Sequence, residues 1–345
     1  MQRAAKSLAP SATRSRSEAI AFIIMLVALI ITPLLTYPVF LMKALCFALF
    51  ACAFNLLVGY VGLLSFGHAL FFGWAGYACA HLAKVGTISL PYLTFMPRLS
   101  WQWLVIQLPS LFQHPEFAIL GATIFATALG LIVGTLAIRR QGIYFSMITL
   151  ALAQMMYFFA VQAPFTHGED GIQAVPRGKL FGLFDLAEQR NMYITVLLIF
   201  LGCFLLIRRI INSPFGEVLK AIRENETRAI SLGYKTDRYK LLAFVLSATF
   251  AGIAGATKAL VFQLASLTDV DWPMSGEVIL MTLVGGLGTL FGPVAGAFFM
   301  VTLENYLTTM GQWVFVVQGV IFVVCVMLFR HGFIGEIARL LRVKL

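Results

Sequence analysis

The side chains that could carry chemistry are few and widely separated along these 345 residues. The histidines are His68, His81, His114, His167 and His331, and no HxxxH or HExxH spacing joins any of them. The five cysteines, Cys46, Cys52, Cys79, Cys203 and Cys325, lie inside apolar runs without a CxxC pair. They read as small buried hydrophobes rather than ligands or redox centres. Thr166-His167-Gly168-Glu169-Asp170-Gly171 lacks a coherent ligand set and reads as a tight turn. No metal site is expected. Gly-x-x-x-x-Gly-Lys-Ser/Thr occurs nowhere, so the chain has no P-loop with which to hydrolyse a nucleotide. A membrane-embedded enzyme would need a convergent set of carboxylates or histidines, and the sequence offers none.

What remains is a small set of polar groups and glycines in apolar surroundings. Asn55 and Gln154 suit the zwitterionic backbone of a small solute, and equally suit hydrogen bonds between helices. Gly59, Gly62 and Gly67 surround Ser65 and His68, a pattern for an unwound element in which His68 bonds a solute or closes a backbone gap. The plainer reading of His68 is a packed, satisfied group. Gly285, Gly288, Gly292 and Gly296 recur at intervals of three and four, with Gly286 among them. On one helix they would share a face and admit a neighbouring backbone. Pro293 would break or kink that helix. Broken backbone in hydrocarbon must be buried in protein or line a cavity. These residues are therefore candidates for a gate or the wall of a solute path, weighed against close helix packing.

The longest polar stretch between apolar runs is 211–239. Asn212-Ser213-Pro214 offers an N-cap followed by proline at the first helical position. Glu217 sits in the first turn, where the helix dipole favours an acid. Lys220–Glu224 and Glu224–Arg228 are opposite charges at i,i+4. Val218, Leu219, Ile222, Ala229 and Ile230 supply an apolar face, and Gly233 fits the position just past a helix end. The pattern predicts a short charged amphipathic surface helix, with a second stretch leading to Tyr239. A plain connector is usually two to eight residues, so a docking helix is favoured over a solvated linker or a lipid contact.

These features need elements to hold them, and the composition says which. The chain is 60% hydrophobic and 12% charged, with 31 Phe and a mean hydropathy of +0.89. A soluble domain runs nearer 45–50% apolar and about 25% charged. An ordinary soluble enzyme, a disordered chain and a disulfide scaffold are excluded. Apolar runs near twenty residues favour helices over a membrane β-barrel. The predicted fold is an all-α polytopic transmembrane bundle of about ten spans, eight to ten, with broken or re-entrant segments near the C-terminal part. Spans are predicted at 19–36, 39–60, 63–84, 116–138, 143–162, 192–210, 240–263, 276–292, 293–309 and 312–329. The first follows a basic tail and lacks a small-x-small cleavage site, so it reads as an uncleaved span.

The net charge of +10 is assigned to topology and lipid rather than to nucleic acid. Most Lys and Arg fall in 1–18, at Arg139-Arg140, in 208–240 and in 330–345. With the N-terminus inside, the span count returns each cluster to the cytoplasmic face, and loops 85–115, 163–191 and 264–275 lie outside. The organisation is then a cytoplasmic tail 1–18, a transmembrane domain 19–329 containing the 211–239 loop, and a cytoplasmic tail 330–345.

The stretch Ser213-Pro-Phe-Gly-Glu-Val-Leu-Lys-Ala-Ile-Arg-Glu-Asn-Glu-Thr-Arg-Ala-Ile-Ser-Leu-Gly-Tyr resembles the coupling loop of ABC-importer permeases, above all the LivM type of branched-chain amino-acid permease. Three further blocks resemble the same family in order: Asn55 to His68, Gly142 to Gln154 and Gly276 to Gly296. The resemblance covers most of 40–335; the tails and the 88–115 loop are not distinctive. It implies that Glu217, Ala221, Arg223, Glu224, Asn225, Glu226 and Gly233 contact an ATPase. It also implies a sister permease, two cytoplasmic ATPase subunits that carry ATP-Mg, and a periplasmic solute-binding protein. This chain itself would bind no cofactor and catalyse no reaction. The setting implied is a bacterial inner membrane. The resemblance implies alternating-access import of branched-chain amino acids, with urea or short amides as alternative solutes. An ion-coupled carrier is a separate alternative, for which Glu277 and Glu304 are the acids nearest apolar segments.

Overall fold

The computed structural model describes residues 11–34, 36–84, 87–89, 105–107, 114–140, 142–180, 182, 184–307, 313–328, 332–333 and 336. Most of the loop 88–115, the first ten residues and most of the 330–345 tail therefore fall outside it. Ten apolar helices occur among the described residues: α1 Ser11–Ile31, α2 Pro38–Val58, α3 His68–Lys84, α4 Pro115–Ala137, α5 Ile143–Gln162, α6 Gln189–Ile211, α9 Thr236–Phe262, α10 Trp272–Gly285, α11 Gly292–Leu307 and α12 Val314–Leu328. Two short polar helices, α7 Pro214–Glu224 and α8 Glu226–Ser231, stand between α6 and α9. α2, α4, α5, α6 and α9 are each long and apolar enough to cross a membrane. The strands are two- and three-residue pieces: β1 Thr87–Ser89 pairs antiparallel with β2 Val105–Gln107, β3 Ile172–Gln173 with β6 Leu264–Ala265, and β4 Lys179–Leu180 with β5 Phe184–Asp185. The fold is the predicted all-α polytopic bundle.

α2 is apolar on every side, and a helix of that kind belongs inside. Leu41, Met42 and Leu45 through Leu57 are buried, and α2 packs against α9, α11, α6 and α10. α9 also packs on α3 and α4. Small residues let it approach: a Cβ on Gly255 would lie 1.9 Å from Phe72 O, and one on Gly252 would lie 2.4 Å from Ala126. α4, α5 and α6 leave Leu120, Ile124, Leu131, Met155 and Leu198 exposed, as helices facing hydrocarbon do.

Four sequence expectations change in detail. The first helix runs over 11–31 rather than 19–36, because Thr32–Leu34 tightens into a 3-10 turn at Pro33. The gap between the second and third helices is nine residues, 59–67, not two. The loop holds two helices rather than one, so Glu224 and Arg228 are no longer one turn apart on a helix. Lys220 instead meets Glu217 at 2.7 Å. The predicted span 276–292 is the half-length α10, fourteen residues or about 21 Å, short of the ~30 Å hydrocarbon core.

That shortness has a visible cause. Ala69 N, in the first turn of α3, donates to Ser275 Oγ at 2.9 Å, so α10 begins beside the start of α3. A Cβ on Gly73 would sit 2.7 Å from the backbone of Asp269. The segment 266–271, predicted to be an outer loop, therefore dips into the bundle before α10 starts. It reaches α3 about 17 Å short of that helix's far end at Lys84. The five cysteines are free and buried, as their apolar settings imply. Residues 164–171 form consecutive tight turns, with His167, Gly168 and Gly171 at positive φ.

Candidate functional site

The 211–239 loop folds onto the bundle through its own sequence signals. Ser213 is the N-cap of α7: its Oγ accepts from Gly216 N at 3.4 Å and donates to Ile210 O at 2.6 Å. Pro214 takes the first helical position. Asn225 leaves helical geometry and caps α8, its Oδ1 accepting from Arg228 N at 3.0 Å. Gly233, at φ +90°, follows the end of α8 in the left-handed conformation that glycine tolerates. Leu219, Ile222 and Ala229 are buried against the bundle, Phe215 stacks on Tyr239, and Glu226 pairs with Lys240 of α9. The outer face carries Glu217, Ala221, Glu224, Asn225 and Gly233, with Ile230 and Leu232 exposed at 54% and 70%. Six of the seven implied contact residues stand on the exposed surface and Glu226 is half-buried; Arg223, though exposed, turns its guanidinium onto Gly59 O, and Glu226 turns its carboxylate onto Lys240.

Arg223 joins the loop to both breaks in the bundle. Its Nη1 donates to Gly59 O, at the end of α2. A Cβ on Gly288 would lie 3.0 Å from that same Nη1 and 3.2 Å from Gly59 O; one on Gly62 would lie 3.3 Å from Arg223 Cγ. The break 286–291 separates α10 from α11, and Gly286 and Gly288 take φ +118° and +77°. Asn55 locks the breaks together: Nδ2 donates to Thr289 O at 2.9 Å, and Oδ1 accepts from Gly288 N at 3.0 Å. The unwound 59–67 segment is satisfied by side chains. Ser146 Oγ donates to Leu64 O at 2.6 Å, Phe66 N donates to Thr149 Oγ1 at 3.2 Å, and Gly67 N donates to Ser65 Oγ at 3.3 Å. This is how irregular backbone survives at membrane depth.

The remaining candidates separate into packing and isolated groups. Gly285 and Gly296 are close-approach positions: added Cβ atoms would lie 1.9 Å from Gly292 O and Met281 O. Gly292 and Pro293 open α11 under Thr289, whose Oγ1 accepts from Gly292 N at 3.1 Å. Gly67 packs on Thr149 O. His68 is fully buried, with Nε2 2.7 Å from Ser247 Oγ and its ring edge-on to Phe54, Phe71 and Phe244. Gln154 is half-buried on α5.

Sequence reasoning named Glu277 and Glu304 but missed the cluster they belong to. Lys258 of α9 pairs with Asp269 of the inserted segment, and Lys43 of α2 pairs with Glu304 of α11 at 2.8 Å. Both ammonium groups lie over the Phe47 ring, at 5.7 and 5.8 Å. Glu277, in the second turn of α10, lies in the field of all four groups. The available signal was a lysine set inside each of two apolar runs, Phe40-Leu-Met-Lys43-Ala-Leu and Ala256-Thr-Lys258-Ala-Leu.

A bundle of apolar helices with buried breaks, five of the helices long enough to span a bilayer, defines a multi-pass membrane protein. Residues 36–329 match the family described as "Branched-chain amino acid transport system / permease component", and the chain belongs to it. It is 25% identical over 288 residues to the high-affinity branched-chain amino acid transport system permease protein LivM of Escherichia coli K12, covering 77% of this chain and 62% of the relative. The chain thus spans less than two thirds of that relative's length. It is 29% identical over 201 residues to the ribose import permease protein RbsC of Bacillus subtilis, covering 52% of this chain and 58% of that one. A probable LivM permease of Methanocaldococcus jannaschii is 30% identical over 118 residues, covering 33% and 34%. No solved structure matches.

Proposed function

We propose that this chain is the membrane-spanning subunit of an ATP-driven importer that moves branched-chain amino acids across a bacterial inner membrane by alternating access. Hydrolysis belongs to two separate ATPase subunits, docked on the exposed face of α7 and α8. A sister permease completes the path, a periplasmic solute-binding protein delivers the solute, and both termini of this chain face the cytoplasm. The observation that carries the reading is Arg223. It lies in the helix offered to an ATPase and bonds Gly59 O, where two helix breaks meet. Closure of the ATPases would move α7, and Arg223 would pass that movement to 59–67 and 286–291. Similarity to LivM relatives supports amino acids as the solute. Similarity to ribose and xylose permeases makes pentoses the competing solute.

The test uses the whole transporter complex in proteoliposomes. Leucine uptake that requires ATP and excludes ribose and urea supports the reading. Uptake that ignores ATP and collapses with a protonophore overturns it in favour of an ion-coupled carrier. Arg223→Ala is expected to keep the ATPases bound yet lower uptake by roughly tenfold, the scale of a lost coupling interaction. Glu224→Lys, on the exposed face, is expected to release the ATPases instead. Unchanged uptake in Arg223→Ala removes the transmission role.

A further inference from the structure

The geometry points to a binding site inside the bundle for the ammonium and carboxylate of an apolar α-amino acid, built from Glu277, Lys43 and the Lys258–Asp269 pair. It rests on the amino-acid reading above and gives that solute a place in this chain.

Charged side chains within a membrane bundle are costly, and they persist where they pair or face a water-filled path. Here the chain brings five of them together. Lys43 is twelve residues from Asn55 along α2, and Glu304 is twelve from Gly292 along α11. Both therefore lie about 18 Å from the Arg223 junction. Asp269 reaches Lys258 only because the segment before α10 inserts against Gly73. A half-length helix that starts inside a bundle is a recurrent way to build a midplane solute site.

Structural stapling explains part of the cluster. Lys43–Glu304 ties α2 to α11, and Lys258–Asp269 ties α9 to the inserted segment. Lys258 is the more enclosed of the two lysines, its ammonium lying 5.7–5.8 Å from Phe47, Phe72 and Phe262, so with Asp269 it forms the fixed wall of the site. Stapling does not explain Glu277. Its carboxylate makes no hydrogen bond or ion pair among the described residues, although two lysines lie within electrostatic reach. With both lysines paired, the five groups sum to one negative charge, and the one left over is Glu277. The complement of a lone carboxylate is an ammonium group. Lys43 supplies the other half: its side chain is 26% exposed, and an ammonium has three donors of which one meets Glu304. A carboxylate and an ammonium on neighbouring helices, within each other's electrostatic reach, match a zwitterion better than a sugar, a free cation or a free anion.

The site is tested on the complete membrane complex, freed of solute-binding protein, by calorimetric titration with leucine, isocaproate (no ammonium) and isoamylamine (no carboxylate). Wild type is expected to bind leucine saturably and each single-charge analogue roughly tenfold more weakly or less. Glu277→Gln is expected to weaken leucine by roughly tenfold and to leave isocaproate unchanged; Lys43→Met does the reverse, weakening leucine and sparing isoamylamine. Should Glu277→Gln fail to assemble, Glu277→Asp keeps the charge on a shorter arm, and a weakened leucine affinity in an intact complex carries the same meaning. Equal leucine affinity in wild type and an assembled Glu277 variant overturns the site. So does an absence of leucine binding in a complex that imports leucine with its binding protein. A complex that imports ribose and not leucine overturns the amino-acid reading itself, a result the uptake assay reports separately.

Discussion

The two ends of α2 hold the bundle by opposite means. At its Gly59 end the contacts are hydrogen bonds made to backbone: Asn55 to 288–289, Ser146 to Leu64, and one arginine to Gly59 O. Toward its Lys43 end the contacts are ionic and made between side chains of different elements. The contrast follows from what each can do when it moves. An unwound backbone satisfied by hydroxyls and amides can exchange one partner for another at modest free energy, because each net hydrogen bond is worth about 1 kcal/mol. A partly buried ion pair resists separation, since a charge left without its partner keeps the full desolvation penalty. The loop end is therefore suited to movement and the charged interior to recognition.

The largest expected effect comes from filling the contact between the two breaks. A Cβ on Gly59 would lie 2.2 Å from Asn55 Oδ1 and 2.8 Å from Gly288 N, so Gly59→Leu forces the breaks apart and evicts the Asn55 clamp. The loss should exceed about 4 kcal/mol, the range reserved for severe core disruption. It should show as failed accumulation of folded protein in the membrane. A Gly59→Leu protein with wild-type thermal stability in detergent would mean that the breaks do not rest on one another.

Next in size is the ion pair. Lys258→Met alone leaves Asp269 charged in the bundle and should destabilise by about 3 kcal/mol. Adding Asp269→Asn should restore much of that, since removing both charges also removes both desolvation penalties. Thermal unfolding of the detergent-solubilised protein measures both. Equal loss in the single and double variants would show that Lys258 contributes through Phe47, Phe72 and Phe262 rather than through charge, and the contrast between the two ends would then narrow.

Which parts the sequence disclosed depends on the range of the forces that set them. The cap at Ser213, the glycine after α8, and the break near Pro293 are local, and their residues announce them. The half-length of α10 is not local. It is imposed by Ser275 meeting Ala69 and by Asp269 entering beside Gly73, contacts about two hundred residues apart that no periodicity in 276–292 records. The split of the loop helix sits between these cases. The i,i+4 charges favoured one helix, but Asn225 caps a new one with its own side chain, a competition that short polar residues often win. Asn55 was legible as a polar group in an apolar span but not as a clamp, because its partners are backbone atoms of 288 and 289. Lys43 and Lys258 were visible as charges inside apolar runs, yet topology arguments count lysines at the ends of spans and pass over those within.

The smallest expected effect tests whether the loop is a lever or merely a lid. Ser213 ties α7 at both ends of its hydroxyl, accepting from Gly216 N and donating to Ile210 O. Ser213→Ala should cost about 1 kcal/mol of local stability, the usual worth of an N-cap. That is too little to unfold the bundle or, if an ATPase docks on the exposed residues of α7 and α8 as proposed, to release it. If Arg223 transmits movement, a loosened α7 wastes part of each stroke, and solute moved per ATP should fall by a factor of about two while leucine affinity at the Glu277 site stays constant. If the loop only covers the junction, the ratio of solute to ATP is unchanged. Coupled uptake and hydrolysis measured in the same proteoliposomes separates the two, and a changed leucine affinity would instead show that the Gly59 end and the charged interior are not independent.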